Sequence, residues 1–149
     1  MGKFTASVED HLILPARVRR PPGDEHFLAA VGRRVPAPVS VRLLIDTGAR
    51  RTTLIPGIVS HLDPTPERDV RVNAPLASGD TTLFWVCLEF PGTGLPSFSE
   101  LLLARLPMPP GLAQFHGLLG RDLLARLHSF EYQGRRGQYS LRDTPGWFD

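Results

Sequence analysis

Asp46-Thr47-Gly48-Ala49 is the segment of this sequence best placed to do chemistry. An aspartate that follows Val-Arg-Leu-Leu-Ile and precedes a second apolar run, Thr52 to Ile55, sits where water is scarce. A carboxylate there must be paired, hydrogen-bonded or protonated, because burying it bare is expensive. Sequences meet that cost most often at functional sites. Gly48 permits a tight loop and the close approach of another backbone. Thr47 brings a hydroxyl that can tie the loop across an interface. Taken alone, the tripeptide describes equally well a tight turn closed by an Asx-type hydrogen bond. Its context is more particular: Ala49-Arg50-Arg51-Thr52-Thr53-Leu54-Ile55 follows directly, and Gly117-Leu118-Leu119-Gly120-Arg121-Asp122-Leu123-Leu124 lies downstream.

The other chemistry-bearing residues are less organised. His11, His26, His61, His116 and His128 show no metal-ligand spacing and read as surface or satisfied structural side chains. Ser60-His61 and Ser78-Gly79 lack the context of a nucleophile elbow. Asp122 reads as a structural residue at a helix start, where it or Arg121 would make an ion pair and an acid complements the helix dipole. Cys87, the single cysteine, sits in an apolar stretch and reads as a small buried hydrophobe; it can form neither an intrachain disulfide nor a thiolate metal cluster.

The elements that position these residues are mostly strands. Val39 to Ile45 sets Val39, Val41, Leu43 and Ile45 against Ser40, Arg42 and Leu44 at period two, the mark of a half-buried strand. Thr52 to Ile55 forms a second strand that stops at Pro56-Gly57, so the loop between them projects. Further strands are expected at His26–Val31, Asp69–Val72, Thr81–Phe90 and Gly117–Gly120, and at Phe98–Leu106, where Ser97 with Glu100 also offers a helix capping box but the run is short and stops at Pro107. Residues 73–80 carry the turn chemistry of a hairpin tip. Arg121 to Leu127 places Leu123, Leu124 and Leu127 on one face of a short helix, and a hairpin spanning His128–Leu141 closes the chain. Pro15 and the run Arg19-Arg20-Pro21-Pro22-Gly23 read as an arm or linker over residues 1–24, open to adding an edge strand, ahead of a domain at 25–143 and a tail at 144–149.

At 149 residues the chain fits one domain. Its 15 prolines and 14 glycines argue for many turns and short elements, and against long helical bundles and coiled coils. Seventeen basic residues oppose fifteen acidic ones, for a net charge of +2. The arginines fall in scattered pairs rather than on one stripe with interleaved aromatics, so nucleic acid is not an expected partner. No apolar run reaches the length of a membrane span and the N-terminus has no secretory pattern; a cytoplasmic location is expected.

Taken together, Asp46-Thr47-Gly48-Ala49 with Thr52 and Leu54, a hairpin tip near Ala74–Gly79, and Leu118-Leu119-Gly120 running into a short helix resemble the retropepsin-like aspartic proteases. These are the single-domain relatives of pepsin that include the retroviral enzymes, and the resemblance is to a bacterial-type member. It covers roughly residues 26–142 and implies a mostly β fold: a closed barrel or sandwich with a flap hairpin and one short helix. It also implies an aspartic endopeptidase that needs no metal and no cofactor. The chain carries one Asp-Thr-Gly and is too short for two lobes, so Asp46 of two subunits would meet on the axis of a homodimer. Like charges ~4 Å apart at an effective dielectric of ~20 repel by about 4 kcal/mol, so the pair would share one proton. The ionised member would take a proton from the attacking water while the other donates to the peptide carbonyl.

The resemblance assigns further roles. Thr47, Gly48 and Ala49 would support the catalytic loop, with Thr47 bonding across the dimer. Ala74, Pro75, Leu76, Ala77, Ser78 and Gly79 would form the flap over an extended peptide, and Leu118, Leu119 and Gly120 would pack against the active-site loop. The sequence also departs from the pattern. Arg50-Arg51 stand where many retroviral members carry acids or other polar residues; intersubunit ion pairs, acidic substrate residues and plain solvation are all open to them. Pro75 stiffens the flap. The arm has no counterpart, leaving interface strands, a removable pro-segment or an unordered segment. A non-catalytic dimer that binds extended peptides by strand addition is the alternative reading.

Overall fold

The computed structural model describes residues 2–8, 11–73 and 79–144. Ten strands run along them: β1 (Lys3–Ser7), β2 (Ile13–Arg19), β3 (Val39–Ile45), β4 (Thr53–Leu54), β5 (Pro66–Val72), β6 (Gly79–Glu89), β7 (Phe98–Arg105), β8 (Gly117–Leu119), β9 (Ser129–Gln133) and β10 (Gln138–Arg142). Three α-helices join them, α1 (Pro22–Ala30), α2 (Pro56–Leu62) and α3 (Arg121–Leu124). The large sheet follows the order β4-β7-β6-β2-β3-β8, with β5 paired to β6 as a hairpin. Its pairs are antiparallel except β3–β8 and β4–β7, which are parallel.

The two ends of that path meet. The Ile55 amide donates to the His116 carbonyl at 2.9 Å, and the Leu118 amide donates to Thr53 Oγ1 at 3.1 Å. The sheet is thereby an almost closed barrel. Its interior holds Leu14, Val18, Leu43, Leu54, Leu88, Leu103, Leu119 and Leu123, all buried. A smaller apolar cluster of Leu44, Ala49, Phe115 and Leu118 covers the opposite face of β3. Leu44, assigned by period two to the polar side of its strand, is therefore buried as well; the Phe115 loop shields the face that simple alternation leaves to water.

The described residues of 1–24, expected to be an arm or linker with room for an edge strand, supply two strands and the start of α1: β1 is such an edge strand, whereas β2 is not. β2 lies inside the large sheet, between β3 and β6, with Leu14, Ala16 and Val18 pointing into the core. Pro15 is tolerated because β6 pairs only with Arg17–Arg19; at Pro15 the strand has a partner on one side alone, so the missing N–H breaks no ladder. β1 adds to β10 and β9 in a three-stranded sheet. Tyr139 clamps that sheet to β2, its hydroxyl donating to the Ile13 carbonyl and accepting from the Ile13 amide. Burial pushes its phenol above the ordinary range.

The expectation of one short helix is also corrected. The run His26–Val31, read as a strand, is mostly α1: Pro22 occupies the first turn, Asp24 and Glu25 complement its N-terminus, and Leu28 is its single buried side chain. Pro56-Gly57 does end a strand, but it also opens α2, which buries Ile58, Val59 and Leu62. Cys87 is buried in β6, and burial pushes its thiol up, as for an inert core residue. No helix among the described residues is long and apolar enough to cross a membrane.

Candidate active site

β3 ends at Ile45, and Asp46 opens the loop that leads to β4. This loop is pinned at its base. The Asp46 amide donates to the Leu119 carbonyl at 3.0 Å, and the Ala49 amide donates back to the Asp46 carbonyl at 3.1 Å. The Gly48 amide donates to Asp46 Oδ1 at 2.9 Å, so one carboxylate oxygen is fixed by the Asx-type turn. The other oxygen, Oδ2, is buried and has no hydrogen-bond partner among the described residues. Thr47 and Gly48 are exposed at the tip, while Ala49 is fully buried against Phe115 and Leu118.

The downstream motif braces the same loop. Leu119 pairs with Ile45 across β3 and β8. The Arg121 amide donates to the Ala49 carbonyl at 2.8 Å, and the Asp122 amide to the Arg50 carbonyl at 3.1 Å. Thr52 is fully buried; its hydroxyl donates to Asp122 Oδ1 at 2.7 Å and accepts from the Gly120 amide at 3.0 Å. The Thr52 amide donates to both carboxylate oxygens of Asp122 at 3.0 Å. Asp122 stands in the first turn of α3, the structural position that its place after Gly120-Arg121 predicts. Its partners, however, are hydroxyl and amide donors from Thr52 and Leu123 rather than a cation.

Gly120 is required by space. A Cβ built there would lie 2.6 Å from the Arg51 carbonyl carbon and 3.0 Å from the Ala49 oxygen. Thr53 was not singled out in the sequence, yet its buried hydroxyl holds β8 through the Leu118 amide. Two adjacent threonines between arginines and an apolar pair are the signal: a buried β-branched hydroxyl needs a fixed partner.

Replacing Asp122 with alanine strips the acceptor from the Thr52 amide and hydroxyl. Leaving such buried donors unpaired costs roughly 2–3 kcal/mol. A urea titration should show a lower midpoint with unchanged slope.

Of the six residues assigned to a flap, Ala74, Pro75, Leu76, Ala77 and Ser78 lie outside the described residues. Gly79 begins β6 opposite Val72, the last rung of the β5–β6 hairpin. β6 continues from this hairpin into pairing with β7 and then β2. No three metal-ligating side chains come together among the described residues. Three histidines make contacts of a structural kind: the Arg42 amide donates to His116 Nδ1 at 2.9 Å, His11 meets the Phe115 ring edge-on, and His61 Nε2 lies 3.0 Å from the Ala37 carbonyl oxygen.

The architecture is similar to that in the crystal structure of a retropepsin-like aspartic protease from Rickettsia conorii. The TM-score is 0.57 over 94% of this chain and 90% of that one, at 15% sequence identity. The likeness shows a retropepsin-like fold, in agreement with the mostly β, nearly closed barrel expected from the sequence. No family model and no curated protein matches the sequence.

Proposed function

We propose that the chain is an aspartic endopeptidase acting as a homodimer. The observation that carries this reading is the state of the Asp46 carboxylate. One oxygen is held by Gly48, and the other is buried with no partner among the described residues. A buried acceptor left unpaired is costly and is met most often at working carboxylates; a second Asp46 on a twofold axis, meeting the half-buried side chain from its accessible side, would share one proton with it. The exposed Thr47 and Gly48 leave the loop tip open to such a partner.

The chemistry follows from the shared proton. The ionised carboxylate takes a proton from a water, which attacks the peptide carbonyl carbon. The protonated carboxyl donates to the carbonyl oxygen. Collapse of the tetrahedral intermediate then breaks the C–N bond, with a proton delivered to the leaving amine. The β5–β6 hairpin would cover an extended peptide and exclude water.

The test is digestion of a diverse peptide mixture from pH 4 to 7, read by mass spectrometry, with wild type and Asp46→Asn compared. Cleavage by wild type alone is the expected result. Equal cleavage by both proteins, or none by a well-folded wild-type dimer, would overturn the reading; the latter outcome would leave a peptide-binding relative.

A further inference from the structure

Immediately after the Asp46 loop the chain gathers positive charge that it does not neutralise. Arg50, Arg51, Arg71 and Arg121, with Val72 and Asn73, line a cavity of about 230 Å³. Three of the same arginines and Asp122 line an adjoining depression of about 390 Å³. The four guanidinium groups come from three places: the Asp46 loop, the Val72 end of β5 and the first residue of α3.

The acids nearby do not balance them. Both oxygens of Asp122 are taken by Thr52, one of them also by Leu123. Arg71 meets Asp80 at 3.4 Å, with both side chains mostly exposed, an arrangement in which an ion pair is weak. Arg50, Arg51 and Arg121 have no ion pair among the described residues. The arginines in and just after β2 are arranged differently: Arg17 and Arg19 find Glu89, Arg19 also finds Glu25, and Arg20 finds Asp24.

Resting on the endopeptidase reading, we propose that this cavity receives an anionic side chain of the bound peptide, a carboxylate or a phosphate. Guanidinium forks match both groups and bind them bidentately. The site is also fixed relative to Asp46. The backbone of Arg121 is bonded to Ala49, that of Arg50 to Asp122, and Gly120 is packed on the Arg51 carbonyl. A cationic pocket held at one distance from the reacting carboxylate reads one position of an extended peptide rather than overall charge.

Binding tests this without depending on cleavage. Fluorescent peptides differing at one position (Glu, phosphoserine, Gln or Lys) are titrated into the Asp46→Asn protein, and the same set is offered to wild type for cleavage. At one position Glu or phosphoserine should bind about 10-fold more tightly than Gln, the worth of one good charge-assisted hydrogen bond. The preference should shrink as salt is raised, and the stronger of the two anions identifies the source. Placing Arg50→Glu and Arg51→Glu in the same protein should invert the choice toward Lys, and wild-type cleavage should show the discrimination in KM. If the double reversal does not fold, Arg50→Gln with Arg51→Gln should bring the Glu-to-Gln ratio within twofold.

Glu and Gln bound equally at every position would overturn the proposal, as would a reversed variant that still prefers Glu. Loss of the dimer as the variant's sole effect would assign the arginines to a subunit interface instead. Acidic peptides that bind preferentially but are never cut would leave this inference standing while the endopeptidase reading falls.

Discussion

Asp46→Asn should lower kcat for peptide hydrolysis by about 10³-fold or more, within the range that general acid–base groups contribute. The substitution is nearly isosteric. Its side-chain oxygen can still accept from the Gly48 amide, now at 2.9 Å from Oδ1, so the turn and the fold should persist. What disappears is the ability to ionise: an amide can neither take a proton from water nor share one with a partner carboxyl. Circular dichroism and the urea midpoint should stay near wild type while turnover vanishes.

Mixing sharpens this expectation. If each active site needs two Asp46 residues, a fourfold excess of Asp46→Asn should pair at random with wild type. Each wild-type subunit then meets a wild-type partner about one time in five, and activity per wild-type chain should fall to that fraction. A site complete within one subunit would be indifferent to the added variant. The inhibition curve separates a shared dyad from any self-contained alternative.

Gly117→Ala should be the most damaging single change to the fold outside the core. A Cβ at this position would sit 1.9 Å from the Thr53 carbonyl oxygen and 3.2 Å from Leu54 Cα, both backbone atoms that cannot swing aside. The conflict falls where β8 meets β4 and the barrel closes. Relief requires separating the strands, with loss of the Ile55–His116 and Thr53–Leu118 hydrogen bonds. A destabilisation of about 4 kcal/mol or more is expected, in the exceptional tail of point mutations. Gly57→Ala is the control. That residue lies in α2 with nothing within 4 Å of a built Cβ, and alanine there should be neutral or stabilising by up to ~1 kcal/mol. Parallel urea titrations decide both.

The strands of the barrel were legible where local pattern and punctuation agreed. β3 has the bounds that period two marks, Val39–Ile45, and β8 lies between its two glycines. The long run of threonine, aromatic and branched residues is β6, and the C-terminal hairpin is β9 and β10. Two helices were missed for identifiable reasons. α1 buries only Leu28 and leaves Phe27 62% exposed, so its apolar residues trace no face that a core would select. At α2, Pro56 ends one element and begins the next, and its role as a terminator hid the other. β2 was obscured by Pro15 and its arginines, all of which point away from the core face of the strand.

The residues of the loop could be picked out from types and spacing because a carboxylate between two apolar runs is an anomaly at short range. That anomaly, the turn closed by Gly48, and a mostly β chain of short elements are local properties, and local sequence was sufficient for them. What braces the loop is not local. Thr52 and Asp122 stand 70 residues apart, and Gly117 reaches Thr53 only because β8 enters the sheet parallel to β3. Parallel pairing requires a long crossover, whose partner no short-range pattern specifies. The joining of Arg71 to Arg50, Arg51 and Arg121 has the same origin. It depends on where the β5–β6 hairpin is carried by a strand that pairs successively with β5, β7 and β2. Side chains can be read from composition, but convergence of charge in one cavity is set by the packing that brings distant backbones together.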